Sequence, residues 1–142
     1  MLEKLSAQTE LKVRFNEVDS LRIVWHGHYV KYLEDAREAF GKKYEMGYLD
    51  VEKYGYATPI VKVDIDYKQQ LRYGDEVIVE AEYVDTAAAK LVFHYTLWRK
   101  KDMVVVAKAK TIQIFLDLKT LELSLTHPQF GIDWKKKWGV MD

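Results

Sequence analysis

The chain contains no cysteine. That absence excludes disulfides, a thiol nucleophile and cysteine-ligated metal, and it fits a reducing compartment. Proline is nearly absent too: Pro59 and Pro128 lie far apart, with no Gly/Ser-rich stretch between them. No linker is therefore visible, and the 142 residues suit one domain spanning 1–142. Excess charge of either sign is missing, because 22 Lys and Arg balance 22 Asp and Glu. A neutral chain without a basic block gives no electrostatic reason to bind nucleic acid or an anionic membrane. No segment approaches the roughly 20 apolar residues of a membrane span. The first ten residues carry acids and no long apolar run, unlike a secretory signal, so a cytoplasmic location is expected. No Gly-x-Ser-x-Gly context surrounds Ser6, Ser20 or Ser124, which argues against a serine hydrolase. No glycine-rich phosphate loop or dinucleotide fingerprint is present, and no cofactor is expected.

What is present is a clear change of period. Leu11, Val13 and Phe15 alternate with Lys12, Arg14 and Asn16, which predicts a half-buried strand. Tyr29, Leu33, Ala36, Phe40 and Tyr44 then recur at helical spacing, opposite a face of Lys31, Glu34, Asp35, Glu38 and Lys42. The pattern predicts a helix from about Gly27 to Met46, with Gly47 as its stop. Four strands follow. Their inward rows are Val61 to Tyr67, Val77 to Tyr83, Leu91 to Leu97, and a run from Met103 to Leu116. The last run changes phase between Ala107–Ala109 and Ile112–Ile114, which predicts a bulge near Thr111. Small Ala107 and Ala109 would let the helix approach the sheet. Tyr73-Gly74-Asp75 reads as a turn, and 127–138 as a last short helix. One long helix with about five antiparallel strands is an α+β arrangement. The face the helix cannot cover mixes Lys62, Asp64 and Asp66 with Ile78, Val84, Val92 and Trp98, which suggests burial by another subunit.

The chemistry concentrates in Arg14-Phe15-Asn16-Glu17-Val18-Asp19 and the following Ser20-Leu21-Arg22-Ile23-Val24-Trp25-His26-Gly27-His28-Tyr29. The pattern places Asp19 at the end of a strand and just before the helix. A carboxylate beside helix N-terminal amides sits next to donors able to polarise a carbonyl oxygen. Asp19 can thus be a nucleophile, a general base or a capping residue. Glu17, two residues earlier, would share its strand face or pair with Arg14 or Arg37. His26 and His28 alternate as metal ligands sometimes do, but no third ligand is evident and no metal is expected.

The run from Arg14 to Tyr29, with Tyr32-Leu33-Glu34-Asp35-Ala36-Arg37, resembles the hotdog-fold acyl-CoA thioesterases. It is most similar to the 4-hydroxybenzoyl-CoA thioesterase-like branch that includes the Tol-Pal-associated enzymes. Ile65-Asp66-Tyr67 and Arg72-Tyr73-Gly74-Asp75 resemble that family's strand–turn segment. The likeness extends from about Thr9 to about Pro128. It departs from the family pattern in four places. Arg22 stands where a glycine is usual, His28 where asparagine or serine is usual, and Gln70 where proline is usual. Thr86-Ala87-Ala88-Ala89-Lys90 replaces a basic cluster.

The resemblance implies a hotdog fold, a curved antiparallel sheet wrapped round its long helix. It also implies edge-to-edge dimers or tetramers with active sites at the subunit interface. The implied reaction is hydrolysis of an acyl-CoA or acyl carrier protein thioester. Asp19 would be nucleophile or base, the amides near His26 and Gly27 the oxyanion hole, Trp25 an acyl wall, and Arg72 and Lys90 contacts to coenzyme A phosphates. A non-catalytic acyl-thioester binding protein on the same fold is the alternative. The long Asp/His motif of hotdog hydratases is absent.

Overall fold

A computed structural model describes residues 4–142. The chain runs β1 (Ser6–Lys12), α1 (Tyr29–Tyr44), α2 (Tyr48–Lys53), β2 (Tyr56–Ala57), β3 (Ile60–Tyr67), β4 (Glu76–Val84), β5 (Lys90–Arg99), β6 (Val104–Ile114), β7 (Leu116–Asp117) and α3 (Gln129–Lys137). Five strands form one antiparallel sheet in the order β1-β4-β5-β6-β3. The strand–helix–four-strand order is therefore the expected α+β architecture, with β2 and β7 as a small separate pair.

Period-two alternation sends one row of each strand towards α1. The cross-strand line Ala7, Ala81, Tyr95, Ala109, Ile65 runs the width of the sheet. Above it α1 buries Tyr29, Tyr32, Leu33, Ala36, Phe40 and Tyr44. The backbone of α1 comes closest to β1 and β4, so the small pair that admits the helix is Ala7 with Ala81, both buried. Ala107 and Ala109, given that role by the sequence pattern, lie further along towards the β3 edge. There the helix no longer covers the sheet, and Val61, Val63 and Tyr67 of β3 remain exposed.

The bulge in β6 is at Val106, not near Thr111: Leu97 pairs with Ala107 but Trp98 with Val105. Beyond Val106 the inward row is Ala107, Ala109, Thr111 and Gln113, while Ile112 and Ile114 take the other face. Two polar side chains thus point into the core. The Thr111 hydroxyl pairs with Tyr95 Oη at 2.7 Å, and Gln113 Nε2 donates to the Thr58 carbonyl at 2.7 Å.

Two boundaries differ from expectation. The first strand ends at Lys12, because Val13 leaves the ladder to bond the 72–75 turn: Val13 N–H donates to Asp75 O at 2.9 Å, and Gly74 N–H to Val13 O at 3.1 Å. Phe15, expected in the strand's inward row, sits in a 3-10 turn (Phe15–Glu17) and is 74% exposed. At the other end α1 stops at Glu45 in the left-handed conformation (φ 58°), with its N–H on the Gly41 carbonyl. Gly47 instead starts α2, where Asp50 Oδ2 caps its N–H at 2.8 Å. A Cβ on Gly41 would come within 2.7 Å of Gly47 Cα, so this helix crossing requires glycine. Helix α3 forms where 127–138 was expected. Trp134 Nε1 donates to Tyr44 O at 2.6 Å, closing the core beneath α1.

Candidate active site

Asp19 lies in a hairpin rather than at a strand end. Val18 and Val24 form an antiparallel bridge, Trp25 N–H donates to Glu17 O at 3.0 Å, and Asp19 N–H to Ile23 O at 3.0 Å. Val24 N–H donates to Leu71 O at 2.9 Å, docking the hairpin on the segment before β4. Arg22 completes the tip with φ 64°, a left-handed conformation that favours glycine. That accounts for the glycine usual in the similar family at this position. The half-buried Asp19 accepts the Leu21 N–H at Oδ1 (2.9 Å). Within one protomer this hydrogen bond goes to the hairpin tip, and the two-rung ladder separates Asp19 from the start of α1.

The hairpin is held from below by Glu17, which sequence reasoning placed on a strand. Its buried carboxylate accepts Arg14 N–H at 2.8 Å, Lys31 Nζ at 3.1 Å and Tyr32 Oη at 3.1 Å. Arg37 is not among its partners. It reaches Tyr95 Oη instead, at 3.3 Å. Burial raises the Glu17 carboxyl, but these donors outweigh it and hold the group below the usual carboxylate range. Burial and the Glu17 charge push the Tyr32 phenol far up, and burial takes Tyr29 up to about 12, so both stay protonated and Tyr32 keeps its proton for Glu17.

His26-Gly27-His28 forms a single 3-10 turn that leads into α1. Among the described residues no backbone or side-chain acceptor takes the N–H of His26 or Gly27. Helix starts carry such unfilled donors, and these two are the ones the sequence assigned to an oxyanion. Trp25, 48% exposed, folds its indole over Gly27, where any Cβ would overlap the ring. Tyr67, at the end of β3, donates its hydroxyl to the His26 carbonyl at 2.8 Å. No local pattern announces that contact, which joins residues 41 positions apart.

Arg72 belongs to the same end of the sheet, in the turn after Leu71, where its N–H is capped by Asp75 Oδ2 at 2.8 Å. Lys90 does not. It opens β5 opposite Ile114, whereas Arg99 at the other end of β5 pairs with Val77 beside the Arg72 turn. Ten strand residues put about 30 Å between those ends. One protomer therefore holds Trp25, His26 and Gly27 in consecutive positions, docks the Asp19 hairpin beside the Arg72 turn through Val24 and Leu71, and leaves Lys90 remote.

An open groove of about 720 Å³ runs between α1, the start of α2 and the uncovered inner face of the sheet. Leu91, Phe93 and Ile60 give it an apolar floor, and Arg37 stands on its wall. Among the described residues no three His, Asp or Glu side chains converge as a metal site, and no helix is long and apolar enough to cross a membrane.

Residues 13–136 match the thioesterase-like superfamily. The chain belongs to that superfamily. Bacillus subtilis YneP, a candidate acyl-CoA thioesterase, is 30% identical over 133 residues, covering 92% of this chain and 96% of YneP. The Arabidopsis thaliana chloroplastic acyl-acyl carrier protein thioesterase ATL3 is 29% identical over 112 residues, 79% of this chain and 59% of ATL3. Among solved structures, Thermus thermophilus TT1821, of unassigned function, superposes with a TM-score of 0.80 at 26% identity, covering 96% of this chain and 99% of its own. The DHNA-CoA thioesterase of Staphylococcus aureus reaches a TM-score of 0.83 over 95% of this chain and 89% of its own. At 23% identity that likeness speaks to the fold, which is the hotdog fold of thioesterases. In this superfamily member the matched span takes in the Asp19 hairpin, the His26–His28 turn and all five strands of the main sheet except β1.

Proposed function

We propose that this thioester hydrolase cleaves acyl-CoA thioesters, as a single-domain cytoplasmic enzyme whose site is completed by a second copy of the chain. Acyl carrier protein thioesters are the related substrate class. The observation that carries the reading is the pair of unengaged N–H groups on His26 and Gly27, at the same end of the sheet as the Asp19 hairpin. Two donors there would stabilise the charge that develops on a thioester oxygen when its carbon becomes tetrahedral. Asp19 either attacks that carbon, giving an acyl-enzyme anhydride that water then opens, or takes a proton from the attacking water. In both routes the C–S bond breaks, the thiol leaves with a proton, and the acid is released.

The β3 edge supports the second copy. It is eight residues long, has no second pairing strand among the described residues, and exposes Val61, Val63 and Tyr67 between the charged Lys62, Asp64 and Asp66. Antiparallel pairing of two such edges about a two-fold axis inverts one sheet relative to the other. It brings Lys90 of the partner subunit towards the Asp19 end of this one. That geometry would restore the phosphate contact that a lone protomer lacks. We extend the same reading to a homotetramer built from such dimers. We also assign the chain to the 4-hydroxybenzoyl-CoA thioesterase-like branch, on the residues from Arg14 to Tyr29.

The test is thiol release from butyryl-, octanoyl-, palmitoyl- and benzoyl-CoA, with one acyl carrier protein thioester alongside. Turnover of at least one substrate is expected. Tight binding with no thiol release from any of them would instead favour a non-catalytic acyl-thioester binding protein.

A further inference from the structure

Resting on the assignment of the Gly27 N–H to the oxyanion, we propose that Tyr67 is a positioning residue for that donor. The His26 carbonyl and the Gly27 N–H are opposite ends of one planar peptide unit, pointing in opposite directions. Whatever fixes the carbonyl therefore aims the N–H. Two donors fix it: the N–H of Tyr29, which continues into α1, and the hydroxyl of Tyr67 at 2.8 Å. The first comes from the helix that follows the turn. The second comes from the end of β3 and ties the turn to the sheet.

The phenol is itself held in place. Its ring meets the Tyr29 ring edge-to-face at 4.8 Å and the His26 imidazole at 6.3 Å. Its backbone is fixed opposite Ala107 in the ladder. Hydrogen bonds in series polarise one another, so a donor on the carbonyl also makes the N–H at the other end of the peptide a stronger donor. The Trp25 indole lies against Gly27 where a Cβ would stand. Tyr67 thus aims and strengthens a donor without touching the substrate carbonyl.

The experiment compares the full chain with Tyr67→Phe, using Tyr54→Phe as a hydroxyl-removal control. Tyr54 only stacks on Phe130, away from the site. Two quantities are read: kcat and KM on the fastest acyl-CoA of the panel above, and the 15N–1H amide signal of Gly27 in the substrate-free protein. In Tyr67→Phe the expected loss in kcat is about tenfold, with KM within about twofold. The Gly27 signal should move while those of Leu33 and Phe93 stay in place. An unmoved Gly27 signal overturns the positioning role, whatever the rate. A moved signal with unchanged kcat, in a protein that Asp19→Asn silences, overturns the oxyanion assignment of Gly27 and this inference with it, leaving Asp19 untouched.

Discussion

Glu17 Oε1 accepts the hydroxyl of buried Tyr32 at 3.1 Å, which fastens the hairpin carrying Asp19 to the first turn of α1. The same oxygen takes the Arg14 N–H, so one carboxylate holds two chain segments. Removing it leaves a buried phenol and a backbone N–H unpaired. Glu17→Ala is expected to lower unfolding free energy by about 2 kcal/mol, read by urea titration. The exposed Lys31 partner adds little, so Lys31→Ala should cost under about 0.5 kcal/mol.

Acid acts on the same contact. The Glu17 carboxyl lies below its unfolded value, so its contribution is complete above about pH 4.5 and is lost as pH falls through the lower folded value. His127 titrates earlier. Burial depresses its imidazole, with the Lys135 ammonium adding to the effect against the Thr86 carbonyl and Asp85. Its Nδ1 is buried without a partner among the described residues, while Nε2 faces Thr86 O at 3.1 Å. Between the ordinary value of 6.5 and the lower folded one, the unfolded chain binds more protons, so stability is lost there as pH is lowered. Tm should drop between pH 7 and pH 5.5, and His127→Gln should flatten that slope. An equal slope in the variant would assign the drop to another group.

Arg22 offers a gain. Its φ of 64° is strained for a residue with a Cβ, and the side chain is exposed. Arg22→Gly is expected to raise stability by about 0.5–1 kcal/mol, the relief of strain exceeding the added freedom of the unfolded chain. Urea unfolding with an unchanged m-value checks it.

Helix α1 was legible in the sequence because 16 residues sustain a helical period with a wide apolar stripe. Helix α2 was not, because six residues are too few to show one. The end of β1 was hidden for a different reason. Val13 and Phe15 keep the alternation, but the 72–75 turn takes the Val13 backbone and Glu17 turns the chain at Arg14. Both are contacts between residues whose pairing no local pattern announces. The inward Thr111 and Gln113 misled in the same way, because their partners Tyr95 and Thr58 are supplied from other strands and loops. Of the candidate site, residue order singled out the segment from Asp19 to Gly27 but not the hairpin that carries Asp19, whose rungs join Glu17 to Trp25 and Asp19 to Ile23. Tyr67 and the remoteness of Lys90 were not readable either, since both depend on strand order and direction.

The central claim is that the Asp19 carboxylate carries the hydrolysis. The direct measurement is thiol release by Asp19→Asn, at saturating concentration of the best acyl-CoA, with circular dichroism and Tm recorded on the same preparation. The side chain keeps its size and its bond to Leu21 N–H, so Tm should change little. The rate should fall by about 10³-fold or more. A folded Asp19→Asn protein that releases thiol at the parent rate would contradict the account.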